Sequence, residues 1–252
     1  MVCGDRLSHI LTKLIRSATG DRGDGMRALF LGSIGVLAET SELQRQAYNQ
    51  AFAAQGLDWC WNIATYCQHL ATAGGQRRLR ELSGGHLSDS DIEQIHENKQ
   101  KFFAERLAGG ISPRPGICEA IDMARSHGLK LGLITTTTPK TLAMMQGALA
   151  GAIDFTAFHL VTSKADVAQE KPHPEVYETA LQRVGVAPRE AIAFEDTLAS
   201  QAAATGAGLT CHLFAGDYAV TTGGAWLTDN PAVTLALARA GSSAETHYAA
   251  AE

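Results

Sequence analysis

The residues able to do chemistry gather where short apolar runs end. Thr135, Thr136, Thr137 and Thr138 follow the run over 129–134, Lys164 and Lys171 follow the run over 158–162, and Glu195 and Asp196 close the run over 191–194. Hydroxyls, ammonium groups and a carboxylate pair brought to one rim would make a polar ligand site. Taken singly, each has an ordinary reading. A threonine run is common turn chemistry, a lysine before Pro172-His173-Pro174 is a solvated surface residue, and a carboxylate pair at a strand end caps the next helix. The first apolar run, Ala28-Leu29-Phe30-Leu31, ends differently, in Gly32-Ser33-Ile34-Gly35-Val36, and carries no carboxylate at all.

These groups can meet only if the runs lie side by side. From Pro113 onward, helical segments over 117–127, 139–150, 174–184 and 200–207 alternate with strands over 129–134, 158–162, 191–194 and 210–214. That alternation predicts right-handed crossovers and a mostly parallel sheet, with ligands at the carboxyl ends of the strands. Residues 41–108 lack strand character. Leu43, Ala47, Ala51 and Ala54 form one apolar helical stripe; Ile92, Ile95, Phe102, Phe103 and Leu107 form another after the Gly84-Gly85 break. Between them lies a small-residue turn, Ala71-Thr72-Ala73-Gly74-Gly75, followed by Gln76-Arg77-Arg78. The predicted organisation is an α/β core over 26–40 and 109–235 with a helical domain over 41–108 inserted after the first strand. Beyond residue 230 an Ala-rich helix and a tail over 236–252 are expected.

Residues 1–25 stand apart as an N-terminal extension. Leu7, Ile10, Leu11, Leu14 and Ile15 recur at helical spacing, and Gly20-Asp21-Arg22-Gly23-Asp24-Gly25 reads as a link. The segment has neither the continuous apolar stretch nor the small-residue cleavage site of a signal peptide. The 252 residues are 45% hydrophobic and 19% charged with a net charge of -5, which gives no electrostatic reason to expect nucleic acid. No apolar run reaches the roughly 18 residues of a membrane span. The five cysteines, Cys3, Cys60, Cys67, Cys118 and Cys211, show neither CxxC nor metal-ligand spacing and fit free thiols in a reducing cytoplasm; the nine histidines form no HxxxH pair.

Taken in order, the motifs resemble the haloacid dehalogenase superfamily of phosphatases, in its CbbY and beta-phosphoglucomutase-like branch. The resemblance spans about residues 26–225. It rests on Leu37-Ala38-Glu39-Thr40 with Glu42 and Arg45, on Asp58-Trp59 with Trp61, on Gly74-Gly75, on Arg114-Pro115-Gly116, on the threonine run, on Glu170-Lys171-Pro172-His173-Pro174-Glu175-Val176-Tyr177, and on Glu195-Asp196-Thr197. It implies a Rossmann-like core under an α-helical cap. It also implies phosphate-binding roles for Thr135, Thr136 and Lys171, and substrate or cap roles for Glu39, Gln44, Arg45, Gly74, Gly75 and Arg77. Arg78 shares the cap loop, and His173 is a spacer within its motif. The family's Mg²⁺ would fall to Asp196 and Glu195, with the carbonyl of residue 34.

The first motif departs from that pattern. An ungapped alignment from Ala28 to Thr40 puts Gly32 at the nucleophile, Ile34 at the general acid/base and Val36 at the threonine that normally follows the glycine. Phosphoryl transfer to the protein needs an oxygen nucleophile in line with phosphorus, and glycine has none. Acid–base assistance, worth about 10²–10⁴-fold, is absent at isoleucine. Losing one of two carboxylates leaves a weak or absent Mg²⁺ site. Ser33 would point away from its neighbours' pocket in an extended segment, and Asp21 and Asp24 lie in the link. Gln44 stands where the family has histidine, Thr197 where it has serine, and Ser200 where it has glycine. The expected protein is a pseudophosphatase that binds a phosphorylated sugar or a protein. A weak phosphohydrolase and a purely structural partner subunit remain as alternatives.

Overall fold

The computed structural model describes residues 25–32, 34–70, 74–214, 216 and 218. The extension over 1–24, Ser33 and the segment beyond 218, including the helix expected past 230, lie outside the described residues.

Five strands form one parallel sheet in the order β3-β2-β1-β4-β5. They are β1 (Ala28–Gly32), β2 (Lys130–Ile134), β3 (Leu160–Val161), β4 (Ala191–Glu195) and β5 (Thr210–Leu213). β1 is central, with Gly32 opposite Ile134 on β2 and Leu31 opposite Phe194 on β4. Every residue of β1 is buried because both faces are covered. Side chains alternate across the sheet. Leu29, Leu31, Leu131, Leu133, Ile192 and Phe194 enter one apolar cluster; Ala28, Phe30, Ile134, Ala191 and Ala193 enter another. Gly132 is required on the second face, since a Cβ there would sit 2.8 Å from the ring of Phe30.

Short-range signals fix the helices that follow. The one-turn helix α1 (Ile34–Leu37) comes directly after the first loop. The insert then supplies α2 (Ser41–Ala54), α3 (Ile63–His69), α4 (Gly75–Ser83) and α5 (Asp89–Leu107). Asn62 caps α3, and Ser88 with Asp91 forms a capping box on α5. These helices close around Tyr48, Phe52, Trp61, Tyr66, Leu79, Ile92 and Ile95, while Ala47, Phe103 and Leu107 join the cluster under the sheet. Asn49 fastens the α2–α3 connection by exchanging two hydrogen bonds with the backbone of Trp61, at 2.9 and 2.8 Å.

On the sheet, α6 (Ile117–Ser126) follows Gly116, whose φ of 88° suits glycine. α7 (Pro139–Leu149) starts with Pro at its first turn behind the Thr138 cap. α8 (Glu175–Val184) ends at Gly185 in the left-handed conformation. α9 (Leu198–Gly206) begins two residues earlier than the apolar spacing predicts, because the Thr197 hydroxyl accepts from the Ser200 N–H and starts the helix. β3, Leu160–Val161, is shorter than the expected 158–162, although the His159 and Thr162 N–H groups still donate to the Leu131 and Leu133 carbonyls of β2.

Candidate functional site

β1 and β4 end together. With Leu31 opposite Phe194, the next residues, Gly32 and Glu195, continue the face that carries Phe30 and Ala193. Glu195 is completely buried. Its Oε1 accepts from the Lys171 ammonium at 2.5 Å and from the Tyr177 hydroxyl, while Oε2 has no hydrogen-bond partner. A Cβ built on Gly32 would fall onto the carboxyl carbon and both oxygens of Glu195. Gly32 is not among the glycines with positive φ, so its backbone would accept a side chain. The obstacle is the carboxylate delivered from β4. Burial pushes the Glu195 carboxyl above its ordinary range, with Lys171 opposing the rise. The Tyr177 phenol is raised well above its usual value by burial and then by Glu195.

Lys171 reaches this point from the loop before α8 and also donates to the Ile134 carbonyl at 2.7 Å. Its ammonium lies 5.2 Å from the centre of the Tyr177 ring. The adjacent end of β2 is held by threonines. The Thr135 N–H donates to the Thr162 hydroxyl and that hydroxyl donates to the Thr135 carbonyl, both at 2.9 Å. The Thr135 hydroxyl accepts from the Thr137 N–H at 3.1 Å and is buried, whereas Thr136 is half-buried. Thus Thr135 and Lys171 meet at the carboxyl end of β2. Lys164 instead pairs with Glu170 at 2.6 Å on the surface. His173 accepts from the Glu175 N–H through Nδ1 at 3.3 Å, a local structural contact.

The potential magnesium donors are fewer than the motifs imply, since glycine at position 32 supplies no carboxylate. Asp196 Oδ2 lies where a Cβ on Gly35 would be, Glu195 is held by Lys171 and Tyr177, and the Ile34 carbonyl accepts from the Ala38 N–H at 2.9 Å as α1 forms. Ile34 packs on the main apolar cluster and Val36 is fully buried within it. Among the described residues no three His, Cys, Asp or Glu side chains converge on a point that could hold a metal. This donor set does not fit the magnesium that the motifs imply.

The insert residues divide as well. Glu39 Oε1 accepts from the Ser41 N–H at 2.8 Å at the start of α2. Arg45 binds Glu42 through two nitrogens, at 2.8 and 2.5 Å, and the Trp61 carbonyl at 2.7 Å. Those hydrogen bonds hold the Glu42 carboxyl down to about 2. Gly74 has a φ of 84°, and a Cβ on Gly75 would lie 2.8 Å from the Tyr48 hydroxyl. Arg77 is 72% exposed and pairs with Glu81 one turn along α4, so it belongs to the solvated face. Arg78 turns inward, donating to the His69 carbonyl at 2.7 Å and lying 5.9 Å from the ring centres of both Tyr48 and Tyr66.

Sequence reasoning misses the partner of Gln44. Gln44 Oε1 accepts from Lys99, a buried lysine on α5 that lies 5.1 Å from the centre of the Tyr48 ring and 4.9 Å from that of Phe103. Burial, with Arg78 nearby, pushes its ammonium down to about 7. His96, one turn earlier, is pushed down to about 4 by burial and then by Lys99 and Lys140. His96 Nδ1 and Gln100 Oε1 are buried without hydrogen-bond partners, and Gln100 reaches Thr141 on α7 at 3.4 Å. A sequence signal was available: polar residues at 96, 99 and 100 interrupt the same helical stripe as Ile92, Ile95 and Phe103.

The chain after β5 crosses the seam between insert and sheet. The Arg114 guanidinium stacks 3.5 Å from the Phe214 ring centre and bonds the carbonyls of Gly35 and Phe214 at 3.0 and 2.6 Å. Gly216 lies against the Glu39 carboxylate, and the Tyr218 hydroxyl donates to Glu42 at 2.5 Å. Two cavities, of about 700 and 240 Å³, flank α7, and neither is bordered by Thr135, Lys171, Glu195 or Asp196.

Comparison with known proteins follows the same lines. Residues 26–208 match the model of a haloacid dehalogenase-like hydrolase. Protein CbbY of Rhodobacter capsulatus is 40% identical over 197 residues, covering 77% of this chain and 87% of the relative. That of Cereibacter sphaeroides is 36% identical, covering 77% and 86%. Among solved structures, a mutant CbbY from Rhodobacter sphaeroides in complex with xylulose-(1,5)bisphosphate has a TM-score of 0.70 at 34% identity, covering 81% of this chain and 93% of that one. The same protein in complex with phosphate gives a TM-score of 0.70 at 34% identity, covering 79% and 91%.

Proposed function

The chain belongs to the haloacid dehalogenase-like hydrolases, in their CbbY-like branch, and from that premise we propose that it is a pseudophosphatase, a binding or regulatory protein for a phosphorylated sugar. The carrying observation is at Gly32. A nucleophile there is missing, and the carboxyl of Glu195 lies in the volume that its side chain would need. Ile34 offers no proton to a leaving group and packs into the core.

Positioning alone does not make such a site a useful catalyst. Enzymes stripped of their reacting side chains keep about 10³–10⁴-fold acceleration over water. Against the extreme slowness of uncatalysed phosphate-ester hydrolysis, that is negligible turnover. Binding needs less. Lys171, paired with Glu195, lies at the end of β2, and the turn after Thr135 supplies hydroxyls and backbone amides beside it. The helical insert over 41–108 acts as the cap in this reading, with Arg45, Arg78 and Lys99 hydrogen-bonded within it. The ligand class comes from the CbbY relative seen with a sugar bisphosphate. A cytoplasmic setting agrees with the free thiols of Cys60, Cys67, Cys118 and Cys211.

Phosphate release from a panel of sugar phosphates with MgCl₂ should stay at the no-enzyme rate. Thermal melts should show stabilisation by one or more of them. Magnesium-dependent turnover abolished by Lys171→Ala would overturn the inactive reading, and a flat thermal response across the panel would overturn the binding one.

A further inference from the structure

Glu195 and Lys171 make a closed pair. Both side chains are almost entirely out of solvent, at 0% and 7% exposure, and among the described residues Glu195 is the carboxylate in ion-pair contact with Lys171. Tyr177 holds the same oxygen from α8. The other oxygen, Oε2, lies against Gly32 in the volume a side chain there would fill.

A divalent cation would have to enter beside this pair. Magnesium demands a near-octahedral shell of oxygens at short range and gives up its waters reluctantly. To join such a shell, Glu195 could offer only Oε2, which is buried against Gly32, and the incoming metal would stand beside the buried Lys171 ammonium, a charge of the same sign. Asp196 would remain as a carboxylate donor, packed against Gly35, and the Ile34 carbonyl already accepts the Ala38 N–H.

We infer that Glu195 replaces the missing first-loop side chain as the standing counter-ion of Lys171, that this closes the site to a divalent cation, and that phosphorylated ligands bind here without metal. The last part rests on the phosphate-binding reading proposed above; the closure to metal does not. Two carboxylates at adjacent strand ends thus differ in role. Glu195 completes the protein's own charge balance, and Asp196 sits beside α1.

The test is calorimetric titration and thermal melting of the full chain with MgCl₂, with inorganic phosphate, and with a sugar phosphate, each with and without EDTA. Magnesium alone should give no saturable heat and no midpoint shift, and the shift given by phosphate or the sugar phosphate should be the same in EDTA as in MgCl₂. A saturable magnesium heat lost in Asp196→Asn, or a phosphate response that appears only with magnesium, overturns the inference. Silence towards both phosphate probes together with silence towards magnesium removes the phosphate-binding reading and leaves the closure standing. Gly32→Asp, which restores the first-loop carboxylate, should acquire a magnesium response. If it and the unaltered chain respond alike, Glu195 is not what closes the site.

Discussion

Restoring the aspartate at Gly32 should first damage the protein. The new Cβ would land on the Glu195 carboxyl, and the new carboxylate would share one ammonium, Lys171, with Glu195 inside an almost fully buried site. Two like charges about 4 Å apart at an effective dielectric near 20 repel by roughly 4 kcal/mol. Rotation of Glu195 towards the rim would relieve part of this and break its Tyr177 contact. A net loss of about 3 kcal/mol is expected, which in a domain of this size lowers Tm by roughly 6–12 °C. The pH dependence follows from the sign of the shift. Burial has already raised Glu195, and a second carboxylate raises the pair further. An acid whose folded pKa lies above its unfolded one binds more protons when folded, so stability is lost as pH rises above about 4.5. The Gly32→Asp deficit should therefore be larger at pH 8 than at pH 5. The assay is thermal melting of parent, Gly32→Asp, Glu195→Ala and the double variant, read as a double-mutant cycle with an expected coupling of about 2–3 kcal/mol. A Gly32→Asp protein that melts within about 2 °C of the parent, with no coupling to Glu195, would refute the reasoning.

Two further outcomes follow from the same geometry. Tyr177→Phe removes a buried donor from Glu195 and should cost about 1–3 kcal/mol in urea melts; an unchanged midpoint would mean that Glu195 has another partner. Lys99, with a folded pKa lowered from 10.5 to about 7, makes the unfolded chain bind more protons between those values, so stability should rise with pH across that window. Lys99→Met should flatten that rise and increase stability at pH 7. A parallel pH profile in the variant would count against the lowered pKa of the buried amine.

Much of the architecture was legible in the residues themselves, for local reasons. Short continuous apolar runs separated by helical stripes placed β1, β2, β4 and β5. The Thr197 cap shifted the start of α9, because a side-chain hydrogen bond to the backbone outranks apolar spacing at an element end. The insert residues were less legible. Arg77 and Arg78 are adjacent in sequence but lie on different faces of α4, and Lys99 meets Gln44 through contact between α2 and α5, which no linear spacing encodes.

The sequence alone determined that positions 32 and 34 carry neither a nucleophile nor an acid, since glycine and isoleucine have no such groups whatever surrounds them. Only the tertiary structure decided what stands in the vacated space. Gly32 and Glu195 lie far apart along the chain and become neighbours because β4 pairs with β1, and parallel register turns both residues to one face. From that adjacency a glycine and a glutamate, each unremarkable in its own segment, become a matched pair in which the carboxylate fills the space and neutralises Lys171.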